Sequence, residues 1–106
     1  MAWLYLCIAG LLEIVWAYFM KQSMGFTRVV PTAITLIAMM GSFALLSLAM
    51  RTLPLGTAYT VWTGIGAVGA FLIGIALLGE AVTPMRLVAA TFIVFGLILM
   101  KLAGNN

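Results

Sequence analysis

Charged residues divide this chain into long apolar stretches. Residues 1–20 carry one charge, Glu13; residues 29–50 and 52–79 carry none; residues 87–100 carry none and extend naturally back through Val82 and forward to Ala103. A bilayer span needs about 20 residues at about 1.5 Å of rise each. The pattern predicts four transmembrane helices, at about 3–21, 30–50, 56–78 and 84–103. The apolar runs are continuous, whereas the strands of a membrane barrel alternate over about 10 residues. The fold class expected is all-α membrane protein, one four-helix domain over residues 1–106.

The connections support this division. Gly25 can cap the first helix and Pro31 suits the opening of the second. Pro54 stops any continuous helix between the second and third spans. Thr83 is a candidate N-cap, with Pro84 at the first helical position. Connections this short force antiparallel neighbours. The first segment lacks a basic leader, holds a glutamate inside its apolar run and is followed by three more spans, so it reads as a span, not a signal peptide.

Composition sharpens the picture. The chain is 66% hydrophobic and 7% charged, against about 25% charged in a soluble domain. With several spans in 106 residues, almost nothing is left for a water-facing domain. The single cysteine, Cys7, excludes an intrachain disulfide and reads as a small buried residue. There is no histidine, hence no histidine base or histidine metal site; no metal or cofactor is called for, and an enzyme is not expected. The five cations stand at predicted helix ends, which suits headgroup anchoring and not nucleic-acid binding. Arg51 and Lys101 fall on one side of the membrane; Lys21, Arg28 and Arg86 fall on the other. Two against three is almost no bias, and a chain with almost no bias can insert both ways. That permits an antiparallel dimer of identical chains. Small residues on the third helix (Gly64, Gly66, Ala67, Gly69, Ala70, Gly74) and the fourth (Ala89, Ala90, Gly96) allow close helix approach, so oligomerisation is expected.

The chemistry starts from Glu13, one of two acidic residues. It lies near the middle of the first span, where an ionisable group costs about 2.5–3.5 kcal/mol on insertion scales. One carboxyl can hold a proton or a cation, and each expels the other; that competition is the minimum for proton-coupled exchange. The bland alternative is a protonated, structurally hydrogen-bonded glutamate. Gly10 precedes it by three residues and Trp16 follows by three, so one helical face reads small, acidic, aromatic. The Trp16 indole N–H can donate to the carboxylate; Gly10 leaves room for a helix or a ligand. On the third helix Tyr59, Trp62, Thr63 and Gly66 share a face, and aromatic faces attract cations. The alternative for them is an aromatic packing seam. Ser42, near the middle of the second span, is the hydroxyl best placed to reach a neighbouring carboxylate, against the alternative of bonding its own i−4 carbonyl. Gly64-x-Gly66-x-x-Gly69 spells a dinucleotide fingerprint, but no strand precedes it, and close packing or a kink is the better reading. Glu80, in a loop, reads as a solvated surface charge.

These residues resemble the small multidrug resistance transporters over essentially the full length. The marks are four spans in about 105 residues, the embedded Glu13, Lys21 closing the first helix, Gly25-Phe26-Thr27-Arg28 after it, and Gly56-Thr57-Ala58-Tyr59 opening the third. Trp16 and the run Gly-Thr-Ala-Tyr-Thr-Val-Trp-Thr-Gly-Ile-Gly-Ala (56–67) resemble the guanidinium-exporting branch rather than the quaternary-ammonium branch. The resemblance implies an antiparallel, dual-topology homodimer in a bacterial inner membrane, with two copies of Glu13 facing one site where protons and substrate compete under alternating access. It implies that Gly10, Glu13, Trp16, Ser42, Tyr59 and Trp62 line that site, that Trp16, Ser42 and Trp62 hydrogen-bond and orient the glutamates, that Tyr59 sits at the mouth, and that the fourth helix forms much of the dimer contact. Guanidinium is planar, permanently charged and rich in N–H donors, which suits paired carboxylates walled by tryptophans. Met39, Met40, Phe43 and Leu46 around Ser42 are candidates to part for an alkyl substituent, with Met39 and Phe43 as the portal. Tyr5 and Tyr18-Phe19-Met20 are bulkier than a minimal member needs. The functions that stay open are export of guanidinium cations by proton antiport, broader export of quaternary ammonium cations, a channel, and a non-transporting subunit of a larger membrane complex.

Overall fold

The computed structural model describes residues 1–103 and contains four helices: α1 (Ala2–Gln22), α2 (Val29–Ala49), α3 (Leu55–Leu78) and α4 (Pro84–Ala103). All four are long and apolar enough to cross a membrane. The N-terminus, the α2–α3 connection and the end of α4 lie at one end of the molecule; the α1–α2 and α3–α4 connections lie at the other.

The helix ends follow from local chemistry. Arg28 and Pro54, both extended, are the N-caps of α2 and α3. Pro31 therefore stands at the third helical position and not the first, still in the turn where a missing N–H costs nothing. The Thr83 hydroxyl accepts from the Arg86 N–H at 3.1 Å and caps α4. Gly79 ends α3 in the left-handed conformation (φ 67°), as glycine ends many helices, and the Glu80 N–H returns to the Gly74 carbonyl at 3.0 Å. One expectation is corrected. Gly25 does not cap α1; Ser23 does, in right-handed geometry. The buried Ser23 hydroxyl donates to the Met20 carbonyl at 2.6 Å and accepts from the Phe26 N–H at 3.1 Å. Met24, Gly25 and Phe26 then run left-handed in succession (φ 50°, 74° and 67°), and the Thr27 and Arg28 N–H groups close back on the Ser23 carbonyl.

The four helices make a slab, not a bundle. α1 packs along α2 and against α3, α3 packs against α4, the backbones of α2 and α3 come close at few positions and meet through side chains, and the backbones of α1 and α4 do not approach. The principal extents are 44 × 35 × 16 Å, little more than one helix diameter thick. The buried cluster Leu6, Ala9, Leu46, Ala49, Ala58, Val61 and Trp62 joins the first halves of α1 and α3 to the second half of α2. α4 contributes no buried residue.

Glycines set the close contacts. A Cβ on Gly10 would come within 2.5 Å of Ile65 on α3, and a Cβ on Gly69 would collide with Ile14 on α1. These residues interlock the two helices, as small residues do in lipid. The 64–69 glycine run is thus a packing feature inside a continuous helix. Two further expectations change. Cys7 is exposed, because it lies on the side of α1 where α4 stays away. Glu80 is exposed but does not simply extend into water: its carboxylate folds back on Gly74, in a cleft shared with Tyr18 and Lys21.

Candidate functional site

Glu13 sits half-buried near the middle of α1. Its carboxyl lies against Gly66 of α3, where any Cβ would collide with it. The absence of a side chain at Gly66 is therefore the space that the carboxyl occupies. Glu13 Oε1 is buried and accepts no hydrogen bond from the described residues. One turn further along α1, Trp16 Nε1 is buried and donates none to the described residues. The Trp16 donor expected for the carboxylate is thus not engaged with it. A buried polar atom without a partner costs about 1–3 kcal/mol, and here an acceptor and a donor stand unpaired on one face.

A hydrogen-bonded chain runs beside them across three helices. The Trp62 indole N–H on α3 donates to Ser42 Oγ on α2 at 2.9 Å, and the Ser42 hydroxyl donates to the Ala9 carbonyl on α1 at 2.7 Å. Ser42 is fully buried and Trp62 nearly so. Within one protomer, then, Ser42 bonds neither Glu13 nor its own i−4 carbonyl, and Trp62 spends its donor on Ser42. The reason is proximity: α1 and α2 pack tightly near Ala9, and Ser42 is the hydroxyl at that contact. Ala9 is the residue whose carbonyl an α-helix offers to the N–H of Glu13, so the chain ends one turn from the carboxyl.

Aromatic rings complete the wall. Tyr59 tilts against Trp62 (centroids 5.5 Å apart, 35° between planes), Trp62 meets Phe43 edge-on (5.7 Å, 61°), and Phe43 meets Trp16 edge-on (6.4 Å, 72°). The row passes from α3 through α2 to α1, and edge-to-face contacts of this kind suit aromatic quadrupoles. Phe43, singled out in the sequence as a portal residue, stands as its central link. Its neighbour Met39 is half-buried, Met40 is 72% exposed, and Leu46 belongs to the buried cluster. Thr63 is apart from this group. It lines an outer groove along α4 with Tyr59, Gly64 and Ile93. Gly10 lies buried under Ile65 and offers no open lining. Sequence reasoning missed the Ala9 carbonyl, since a backbone acceptor leaves no residue-type signal. It also missed Phe43 as a ring partner, for which an aromatic directly after the buried serine was the available clue.

Fold and site together define a small four-span membrane protein built around an embedded carboxyl group with unpaired polar neighbours. A sequence model of the Small Multidrug Resistance protein family matches residues 1–93. Proteins described as guanidinium exporter from Citrobacter freundii and Salmonella typhimurium are 59% identical to this chain over 103 residues, covering 97% of it and 98% of each relative. The guanidinium exporter of Escherichia coli (strain K12) is 57% identical over the same spans. The chain belongs to the small multidrug resistance family, and is a multi-pass transport protein of the bacterial inner membrane.

Proposed function

We propose that this chain exports guanidinium and substituted guanidinium cations by proton antiport, as an antiparallel homodimer whose paired Glu13 carboxyls bind proton and substrate by turns. The observation that carries this reading is the unpaired, buried Glu13 carboxyl oxygen in the first span, in a chain so similar to proteins described as guanidinium exporters. An unpaired acceptor in an apolar setting requires a donor, and a guanidinium ion offers several in one plane. Trp16 supplies a free N–H on the same face, able to bond a carboxylate of either protomer. The Trp62–Ser42–Ala9 chain holds the three helices in register around the carboxyl, a positioning role. Tyr59, half-exposed, stands at the open end of the aromatic row, at the mouth.

A 16 Å slab cannot enclose an aqueous path, and no residue of α4 is fully buried within the protomer. Two chains face to face supply the missing wall, with α4 as much of the contact. The near-equal distribution of Lys and Arg between the two ends allows the opposed insertions that an antiparallel pair requires. Alternating access then follows from exchange of the two conformations by the two protomers. Met39 and Phe43 would part for a substituent on the cation, which requires Phe43 to leave its place between the two indoles.

A second reading, broader export of quaternary ammonium cations, is favoured by the aromatic row itself, since rings bind cations that have no donors. Substrate-triggered current in proteoliposomes separates the readings. Guanidinium is expected to evoke current that Glu13→Gln abolishes, and a tetraalkylammonium ion is expected to evoke little. Apparent guanidinium affinity should weaken as pH falls, because protons occupy the carboxyls that the substrate needs. Equal currents with both cations would favour the broader exporter. Current that reverses at the guanidinium gradient alone would indicate a channel, and no current from folded dimer a structural subunit.

A further inference from the structure

At the end of the molecule that holds the N-terminus, the gap between α1 and α4 forms a trough of about 370 Å³. Cys7, Val61, Ile65, Leu97 and Ile98 line it, and Trp3 and Lys101 stand at its rim. The Lys101 ammonium lies over the Trp3 ring, 4.4 Å from its centroid. This contact spans the gap where the two backbones stay apart. Lys101 is in the last turn of α4 and Trp3 in the first turn of α1, both at the depth where lysine and tryptophan meet lipid headgroups. On the other side of Trp3 a second pocket, lined by Tyr5, Arg51 and Thr52 among others, opens at the same end. The two side-chain cations of this end are Arg51 and Lys101; of the two acidic residues, Glu13 is mid-span and Glu80 is at the opposite end.

We infer that this trough holds an acyl chain of an anionic phospholipid, whose phosphate pairs with Lys101. The lining is apolar, as an acyl chain needs, and the rim is cationic with no side-chain carboxylate at this end among the described residues, as a phosphate needs. The same charge disfavours the organic cations proposed as substrates, so this site is separate from the one around Glu13. Its position at the bridged edge between α1 and α4 lets a bound lipid brace a helix that, within the protomer, otherwise packs its backbone on α3 alone.

Quenching of tryptophan fluorescence by lipids with dibrominated acyl chains tests this in vesicles. Dibrominated phosphatidylglycerol is compared with dibrominated phosphatidylcholine, for the parent chain and for a background with Trp16→Phe and Trp62→Phe in which Trp3 reports alone. Phosphatidylglycerol is expected to bind about fivefold more tightly, the preference that one lysine near an anionic surface provides. Lys101→Gln should bring the ratio close to one, and Lys101→Arg should restore it. A preference that survives Lys101→Gln, or equal quenching by both lipids in the parent, overturns the inference. So does absence of quenching by either lipid together with ready Cys7–Cys7 disulfide formation, which would give the trough to a second copy of the chain.

Discussion

Ser42 is the residue on which two neighbours depend, because it takes the Trp62 N–H and gives its own proton to α1. Ser42→Ala leaves the Trp62 donor buried and unpaired, and should destabilise the protein by about 1–3 kcal/mol in thermal unfolding in detergent; Ser42→Thr, which keeps the hydroxyl, should lose less. Gly66 matters for the opposite reason, since its missing side chain is the room that the Glu13 carboxyl uses. Overpacking typically costs about 1–3 kcal/mol, so Gly66→Ala should weaken guanidinium binding about tenfold or more. Gly56→Ala, where a Cβ meets nothing within 4 Å, should leave calorimetric binding unchanged. Glu13 was legible in the sequence as a candidate, because a charge in a membrane span has few innocent explanations, and the structure places it within α1. Its immediate surroundings were not: a face shared at i and i+3 says that Trp16 can reach Glu13, but not that its indole stays unpaired. The partner that Ser42 chose was equally hidden, being a backbone oxygen thirty-three residues away in sequence.

Among the elements, the helices were readable and their connections only partly so. Four uncharged or nearly uncharged runs, bounded by Pro54, Thr83 and Pro84, announce four helices, and Thr83 caps α4 as its residue type suggests. The α1–α2 turn was harder, because a glycine after a helix usually marks the cap, whereas here Ser23 satisfies the helix end first. The left-handed demand then falls on three residues, two of which have side chains. At the same end of the molecule, where α3 stops, Gly79 meets this demand alone. A left-handed conformation costs an L-residue about 1–2 kcal/mol, so Gly79→Ala should lower stability by about that amount in thermal unfolding. Phe26→Gly should raise it, by removing a side chain from a conformation that disfavours one.

For the whole molecule, the single layer of helices bears on how two copies are arranged. The charge count read from the sequence is nearly even across the membrane, and that evenness is the physical basis of the proposed opposed insertion. Two lysines added to the α2–α3 connection should force one orientation. Guanidinium resistance should then disappear from cells producing that variant alone, and return when it is produced with a variant carrying the lysines in the α3–α4 connection. Resistance that survives in the first variant alone would exclude the antiparallel pair.

The thinness of the slab also constrains how such a protein can change. In the proposed pair a single gene encodes both halves of one wall, one of them upside down. Every substitution is therefore made twice, once near each opening of the path. No position can be refined for the cytoplasmic side without the same change appearing on the outer side. Binding and release are served by the same residues in exchanged roles, so a tighter grip on one side is a slower departure on the other.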